Sequence, residues 1–284
     1  MSNTEKNKVL PSTLYLVATP IGNLSDITER AKKVLSEVDF IAAEDTRNSL
    51  KLITAYGIKK ELVSYFEHNK KASGERIVAR LLNGESCALV TDAGMPAISD
   101  PGEDIVRLCA DAGIGICIIP GACAAVSALA LSALSTRKFT FEGFLPTART
   151  ERQRELKRLI GEYRTMIFYE APHRLLKTLL DMAEVFGGDR KISISRELTK
   201  INEETQRTTL EGAIAALSEK EARGEYVLVV EGAKESLETE LSGLTVHEHI
   251  EHYINQGLSK KDAIKAVAKD RGVPKSEIYK YTIE

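Results

Sequence analysis

Apolar and polar positions along this chain alternate in two successive series, and a third stretch of different character follows. Short continuous apolar runs read as buried strands, and apolar residues spaced three and four apart read as helices. From Thr13 to about Ala133 the pattern predicts strands at 14–19, 38–45, 87–91 and 114–120. Between and after them it predicts helices at 27–37, 46–56, 74–82, 103–112 and 123–134. Strands separated by helices of this length imply a parallel sheet with right-handed crossovers.

The second series starts near Lys138 with a linker strand at 139–146 and a basic helix at 149–162. A strand at 165–172, a helix at 173–186 and strand-like segments at 191–198, 205–212 and 224–232 complete it. The link 199–204 is too short for a helical crossover, so part of this sheet is expected to be antiparallel. The boundary falls between Thr136 and Lys138, giving domains at 13–136 and 137–233 after a polar lead, 1–12, expected to be disordered. Residues 234–284 read as a charged linker and a tail with helices at 246–255, 260–269 and 276–281. The tail's spacing resembles a helix-turn-helix, with Ala263, Ile264, Ala266, Val267 and Ala268 as its packing face. Ser259 and Pro274 are its helix-start residues.

Composition narrows the class. The 43% hydrophobic and 28% charged fractions over 284 residues fit an ordinary globular chain. The apolar run around 114–120 is far short of a roughly 20-residue membrane span, and the polar N-terminus lacks a signal-peptide core. A cytoplasmic protein with no membrane contact is therefore expected. Cys87, Cys109, Cys117 and Cys123 form no CxxC pair and have no histidine at ligand spacing, so reduced buried thiols are expected and no metal. A net charge of −2 gives no global nucleic-acid signal, and RNA binding would need a local patch.

Candidate chemistry gathers where predicted strands end. After the strand at 87–91 comes a loop crowded with Gly94, Pro96, Pro101 and Gly102 and flanked by Asp92 and Asp100. Such loops bind ligands in open α/β sheets, yet this one lacks the Gly-Lys-Ser/Thr of a phosphate loop. VATPIGNLSDIT (17–28) turns at Pro20, Gly22 and Asn23, and IIPGACAAV (118–126) narrows to Cys123 and Ala124 at a helix start. Either could be plain strand-to-helix packing; beside the first loop, a ligand cleft is the better reading. A dinucleotide fingerprint fails, because Ile118 stands where its third glycine belongs. AAEDTRNS (42–49) ends a strand with Glu44, Asp45 and Arg47, which serve equally as substrate groups or as a helix cap. His68 lies in an exposed loop, and YEAPHR (169–174) offers Tyr169, Glu170 and Arg174. Basic clusters occur at Arg149, Arg152, Arg154, Lys157 and Arg158, and in the tail from Lys260 and Lys261 onward.

The ordered set VATPIGNLSDIT, AAEDTRNS, LVTDAGMPAISDPG, PGACAAVSAL, FYEAPHR and SREL resembles the tetrapyrrole methylase family. It is most similar to the branch that methylates a cytidine ribose 2′-oxygen in small-subunit (16S) ribosomal RNA, and the match runs from about Leu14 to Gly232. The resemblance implies two α/β domains of the tetrapyrrole methylase type, a parallel-sheet N-domain and a mixed-sheet C-domain, with a small helical tail. It implies S-adenosyl-L-methionine held in the cleft by Ile21, Gly22, Gly94, Met95, Ile98, Ser99, Cys123, Ala124 and Tyr169. It also implies a homodimer and the small ribosomal subunit or its RNA as partner. Met95 stands where tetrapyrrole-methylating relatives commonly carry an acid in a Gly-Asp-Pro motif, which favours the RNA branch. Asp45, Glu44, Glu170 and His68 are candidates for the general base by loop position. Arg47, Arg149, Arg152, Arg174, Lys260 and Lys261 are candidates for holding RNA. The rivals are a tetrapyrrole methylase of the same fold and a non-enzymatic helix-turn-helix nucleic-acid-binding protein.

Overall fold

The computed structural model describes residues 8–218, 222–233, 244–271 and 273–281. Its contacts divide it into two compact units, Met1–Ile160 with Thr165–Glu231, and Gly161–Arg164 with Gly232–Glu284.

The first unit holds two five-stranded sheets. In the first, β1 (Thr13–Val17), β2 (Phe40–Ala43), β3 (Glu61–Ser64), β4 (Ser86–Val90) and β5 (Gly115–Ile119) take the order β3-β2-β4-β1-β5. All four pairings are parallel. β1, β2 and β4 are buried along their whole length, as continuous apolar runs in a helix-covered parallel sheet should be. The crossover helices are α1 (Glu29–Glu37), α2 (Thr46–Ala55), α3 (Lys70–Leu82) and α4 (Gly102–Asp111). One face of the sheet buries Val34, Leu35, Ile41 and Ala88, and the other buries Leu14, Phe40, Ile77 and Ile105. Thr28 caps α1 by accepting from the Ala31 N–H, and Asp45 caps α2 by accepting from Arg47. β3 is a strand the hydrophobic pattern does not announce. It is a four-residue edge strand with an exposed Glu61, too short and too polar to read as buried.

The second sheet comprises β6 (Phe139–Phe144), β7 (Thr165–Glu170), β8 (Lys191–Arg196), β9 (Glu204–Thr209) and β10 (Tyr226–Val230), in the order β6-β7-β10-β8-β9. β6 pairs parallel with β7, and the remaining pairings are antiparallel, including the β8–β9 hairpin. The segment read as a linker strand is thus a full sheet member, with a bulge between Phe141 and Gly143. α5 (Ala124–Leu131) follows β5 yet packs on this second sheet, where Ala125, Ala128 and Leu129 meet Ile167, Val227 and Val229. Ile21, from the loop after β1, joins the same cluster. The opposite face is covered by α6 (Arg149–Arg158), α7 (Leu175–Phe186) and α8 (Leu210–Ser218), which supply Leu156, Leu179, Met182 and Leu210. α8 corrects the strand expected over 205–212, which stops at Thr209. Leu210, Ala213, Ile214 and Leu217 have helical spacing that the strand reading passed over.

In the second unit, helices Val246–Asn255, Lys260–Asp270 and Lys275–Tyr279 enclose a small core of Ile250, Ala263, Ile264, Val267, Ala268 and Ile278. Ser259 and Pro274 stand at the N-caps of the second and third, and Thr245 forms a capping box with Glu248. The charged linker at 234–243 and residues 1–7 of the expected disordered lead lie outside the described residues. Within that lead, the Leu10 N–H donates to the Tyr15 hydroxyl at 2.8 Å.

Candidate active site

Because every strand of the first sheet runs the same way, the loops after β1, β2, β4 and β5 leave it at one edge. That edge borders a cavity of about 450 Å³ within the first unit. Its wall comprises Ile21 after β1, Glu44 after β2, Thr91–Met95 and Ile98–Asp100 after β4, and Cys123–Ala124 at the start of α5. The second sheet adds Phe144, Tyr169–Pro172, Leu198 and Glu225–Val227. The volume suits a small-molecule ligand, since such pockets usually span about 300–1,000 Å³.

The loop after β4 is held rigidly. Thr19 and Gly94 exchange backbone hydrogen bonds of 2.9 and 3.1 Å, which ties the loops after β1 and β4 together. The Asp100 carboxylate accepts from the N–H groups of Ala97 and Gly102 at 2.9 and 2.7 Å. That clamp sustains two non-glycine residues in left-handed backbone, Ala97 at φ 66° and Ser99 at φ 61°. Each such residue costs about 1–3 kcal/mol, and strain of this kind gathers at ligand clamps. On the facing wall, the Tyr169 hydroxyl accepts from the Ala125 N–H at 3.2 Å and satisfies one free donor at the start of α5. Phe141 and Phe144 pack against its ring at centroid distances of 5.0 and 5.5 Å. Burial pushes the Tyr169 phenol up to about 12, so it stays a neutral hydroxyl.

The cavity's charge is one-sided. Glu44, Asp92, Asp100, Glu170 and Glu225 line it, the last two ion-paired with Arg174 and Lys200, and among the described residues no lysine, arginine or histidine lines it. Burial raises the Glu44 carboxyl above its usual range, with Asp92, Asp100 and Asp45 adding to the effect. The Thr91 hydroxyl, which donates to Glu44 at 3.1 Å, partly offsets it. Asp100 is raised as well, again chiefly by burial.

The structure brings together Ile21, Gly94, Met95, Ile98, Ser99, Cys123, Ala124 and Tyr169, with Glu44 and Glu170, on this one wall. Gly22 is not among the lining residues. A Cβ there would run into the side chains of Lys200 and Thr199, so this glycine serves close packing between two loops. Asp45 is also absent from the wall. It caps α2, and hydrogen bonds from the Arg47 side chain hold it at about 2, a weak base. His68 lies away from the cavity lining, edge-on to Phe66. Glu170 reaches the wall but is 3% exposed and already engaged by the Thr178 hydroxyl, the Ala171 N–H and Arg174.

The proposed RNA contacts divide similarly. Arg152 is 4% exposed, ion-paired with Asp181 and bonded to the carbonyls of Pro146 and Thr147, which leaves nothing of it for RNA. Arg174 donates to the Leu145 and Pro146 carbonyls beside its Glu170 pair. Arg149 is solvent-facing but bridges Asp181 and Glu184. Arg47 stands well exposed, sharing its charge with Asp45. Lys260 and Lys261 are exposed at the start of the second tail helix. Thr91, Phe144 and Glu225–Val227 are wall residues outside the expected set, and so are the flanking acids Asp92 and Asp100. Phe144 sits in FEGFLP, whose run of aromatics beside a glycine was a usable signal; β10 has none in sequence.

The family model for tetrapyrrole (corrin/porphyrin) methylases matches residues 13–214. A protein named ribosomal RNA small subunit methyltransferase I from Halalkalibacterium halodurans is 51% identical over 94% of this chain and 93% of its own length. Its Bacillus subtilis namesake is 50% identical over 94% and 92%. Among solved structures, a diphthine synthase aligns with TM-score 0.60 and 15% identity, covering 78% of this chain and 90% of its own. A cobalt precorrin-4 methyltransferase aligns at 0.58 and 19%, covering 78% and 95%. At those identities the two structures speak for the fold.

Proposed function

The chain belongs to the tetrapyrrole methylase family and groups there with the ribosomal RNA small subunit methyltransferase I proteins, and from that premise we propose that it methylates a cytidine ribose 2′-oxygen in the decoding region of 16S ribosomal RNA, using S-adenosyl-L-methionine. The observation that carries this reading is the cavity wall, where Glu44, Asp92 and Asp100 stand outside any ion pair with a described residue and no described cationic side chain is part of the lining. A methyl donor with a sulfonium and an ammonium group suits such a field, and a tetrapyrrole ringed with carboxylates does not. Cytosine also fits, because its exocyclic amine donates to carboxylates.

The residues present suit the donor. Gly94, at φ 83°, allows close approach of backbone, and Cys123 and Ala124 keep the start of α5 narrow. Ile21 and Ile98 add apolar surface, while Met95, Ser99 and Tyr169 complete the wall. When bound, S-adenosyl-L-methionine supplies an electrophilic methyl carbon. Glu44 would take the proton of the ribose hydroxyl as that oxygen displaces S-adenosyl-L-homocysteine from the methyl carbon, the carbon–sulfur bond breaking as the carbon–oxygen bond forms. It is the one carboxylate among the four base candidates that combines a place on the wall with a pKa raised toward working pH. Reactant positioning supplies most of the remaining acceleration.

Phosphates stay outside this acidic cavity, and Arg47 in the first unit and Lys260 and Lys261 in the second are exposed cations proposed to meet them. A cytoplasmic homodimer acting on the ribosomal subunit completes the reading. Ile116 and Ile118 on edge strand β5, with Val126 and Leu131 on α5, leave apolar surface available to a second copy. Among the described residues no helix is long and apolar enough to cross a membrane.

The test is incubation with methyl-labelled donor and either small-subunit particles or carboxylated porphyrinoids. Label on a cytidine ribose of 16S RNA is the expected result. Label on the porphyrinoid alone would overturn the proposal.

A further inference from the structure

We propose that Phe144 is the platform on which the nucleobase of the target nucleotide stacks, so that the attached ribose is presented to the cavity. The inference rests on the RNA reading above and names a positioning residue within that site. Phe144 lines the cavity yet is 56% exposed, more than Phe139 at the other end of the same strand, which is 44% exposed and is not part of the lining. Its placement is built. The bulge between Phe141 and Gly143 shifts the register of β6, and a bulge re-aims the side chains that follow it. Gly143 adopts φ 63°, and a Cβ on it would come within 3.1 Å of the Ser99 hydroxyl, so the bulge is seated close to the loop after β4.

The ring is also supported from one side. Tyr169, fixed by its bond to the Ala125 N–H and by Phe141, stands 5.5 Å from the Phe144 ring at an interplanar angle of 59°. Ile98, 46% exposed on the same cavity wall, adds a second apolar surface. The partner chemistry follows from charge. The Glu44, Asp92 and Asp100 carboxylates repel phosphate and favour an uncharged, flat group as the part of a nucleotide held beside Phe144. Aromatic side chains recognise unpaired RNA bases in this way.

The test compares Phe144→Ala, Phe144→Leu and Phe144→Trp with wild type. Three readouts are needed: steady-state methylation of small-subunit particles, calorimetric binding of S-adenosyl-L-methionine, and thermal unfolding. The alanine and leucine variants are expected to raise KM for the particle about 10- to 100-fold, the range that loss of one base stack produces. Donor affinity and melting temperature should stay at wild-type values, and tryptophan should restore KM. Weakened donor binding in the alanine variant would make Phe144 a cofactor contact and overturn the proposal. So would a leucine variant with wild-type KM, since stacking would then be unnecessary. A wild-type protein that leaves the particles unmethylated overturns the RNA reading itself, and this inference falls with it.

Discussion

Replacing Arg152 with methionine should destabilise the first unit by about 3 kcal/mol, near the low end of the cost of breaking a buried ion pair. The side chains of Arg152 and Asp181 are 5% and 4% exposed, and the guanidinium meets the carboxylate at 2.6 Å. The same guanidinium donates to the carbonyls of Pro146 and Thr147 at 3.2 and 2.9 Å, joining the start of α6 to α7. The substitution leaves the Asp181 Oδ2 atom without its donors, while Arg149 and Gln153 still bond Oδ1 at 3.0 Å. Those two surviving bonds keep the loss at the lower end. Urea unfolding followed by circular dichroism reads it directly. Burial opposes ionisation of Asp181, but hydrogen bonds from Gln153, Arg149 and Arg152 outweigh it and hold the carboxyl below its usual range. A depressed carboxyl contributes stability that is complete above the unfolded pKa near 3.8 and is lost as pH falls through the folded value. The deficit of the variant should therefore be full at neutral pH and shrink below about pH 4. A double variant that also carries Asp181→Leu should recover part of the loss, because apolar packing often replaces a buried pair well. An Arg152→Met protein of wild-type stability with raised KM for RNA would refute this reasoning and return Arg152 to the RNA surface.

Three further outcomes are expected. Glu44→Gln should lower kcat about 10²- to 10⁴-fold with donor binding intact, as removal of a general base does. In Thr91→Val, Glu44 loses the hydrogen bond that favours its charged form, so the acidic limb of the kcat–pH profile should move to higher pH; a move to lower pH would contradict the assignment. Deleting residues 244–284 should leave donor binding intact and weaken engagement of ribosomal particles, and unchanged particle kinetics would show the tail to be dispensable for that step.

Legibility in the sequence followed burial. β1, β2 and β4 carry uninterrupted apolar runs because helices cover both their faces, and these strands stand out in the pattern. β3 lies at a sheet edge, where neighbours demand less, and its short polar sequence blurs into loop. Most of the cavity wall comes from loops attached to the legible strands, which is why Gly94, Met95, Ser99 and Cys123 were accessible from motifs. Glu225–Val227 reach the wall only through the antiparallel pairing of β10 with β7 and β8, a long-range fact with no local trace. Arg152 misled for a related reason. A basic residue beside Glu151 and Glu155 looks solvated in sequence, and its true partner, Asp181, lies on the next helix.

The arginines of α6 and α7 bear on how a polyanion is handled here. Arg149, Arg152 and Arg174 are committed to Asp181, Glu184, Glu170 and backbone carbonyls, so three of the cations expected to meet RNA are held by the protein's own structure. The charged side chains that line the cavity are, among the described residues, carboxylates. An RNA substrate meeting these two surfaces finds attraction to its backbone elsewhere, and inside the cavity finds only contacts suited to a ribose hydroxyl and a base. Charge is screened over about 8 Å at physiological salt, so a phosphate must keep roughly that distance from the carboxylates to escape their repulsion. A nucleotide drawn out to stack on Phe144 keeps the phosphates of its neighbours away from the wall, and the 3′-phosphate beside the reacting ribose is the one that must approach it. A carboxylate base and an acidic cavity are then compatible with an anionic substrate, provided that a single nucleotide is drawn out of its strand.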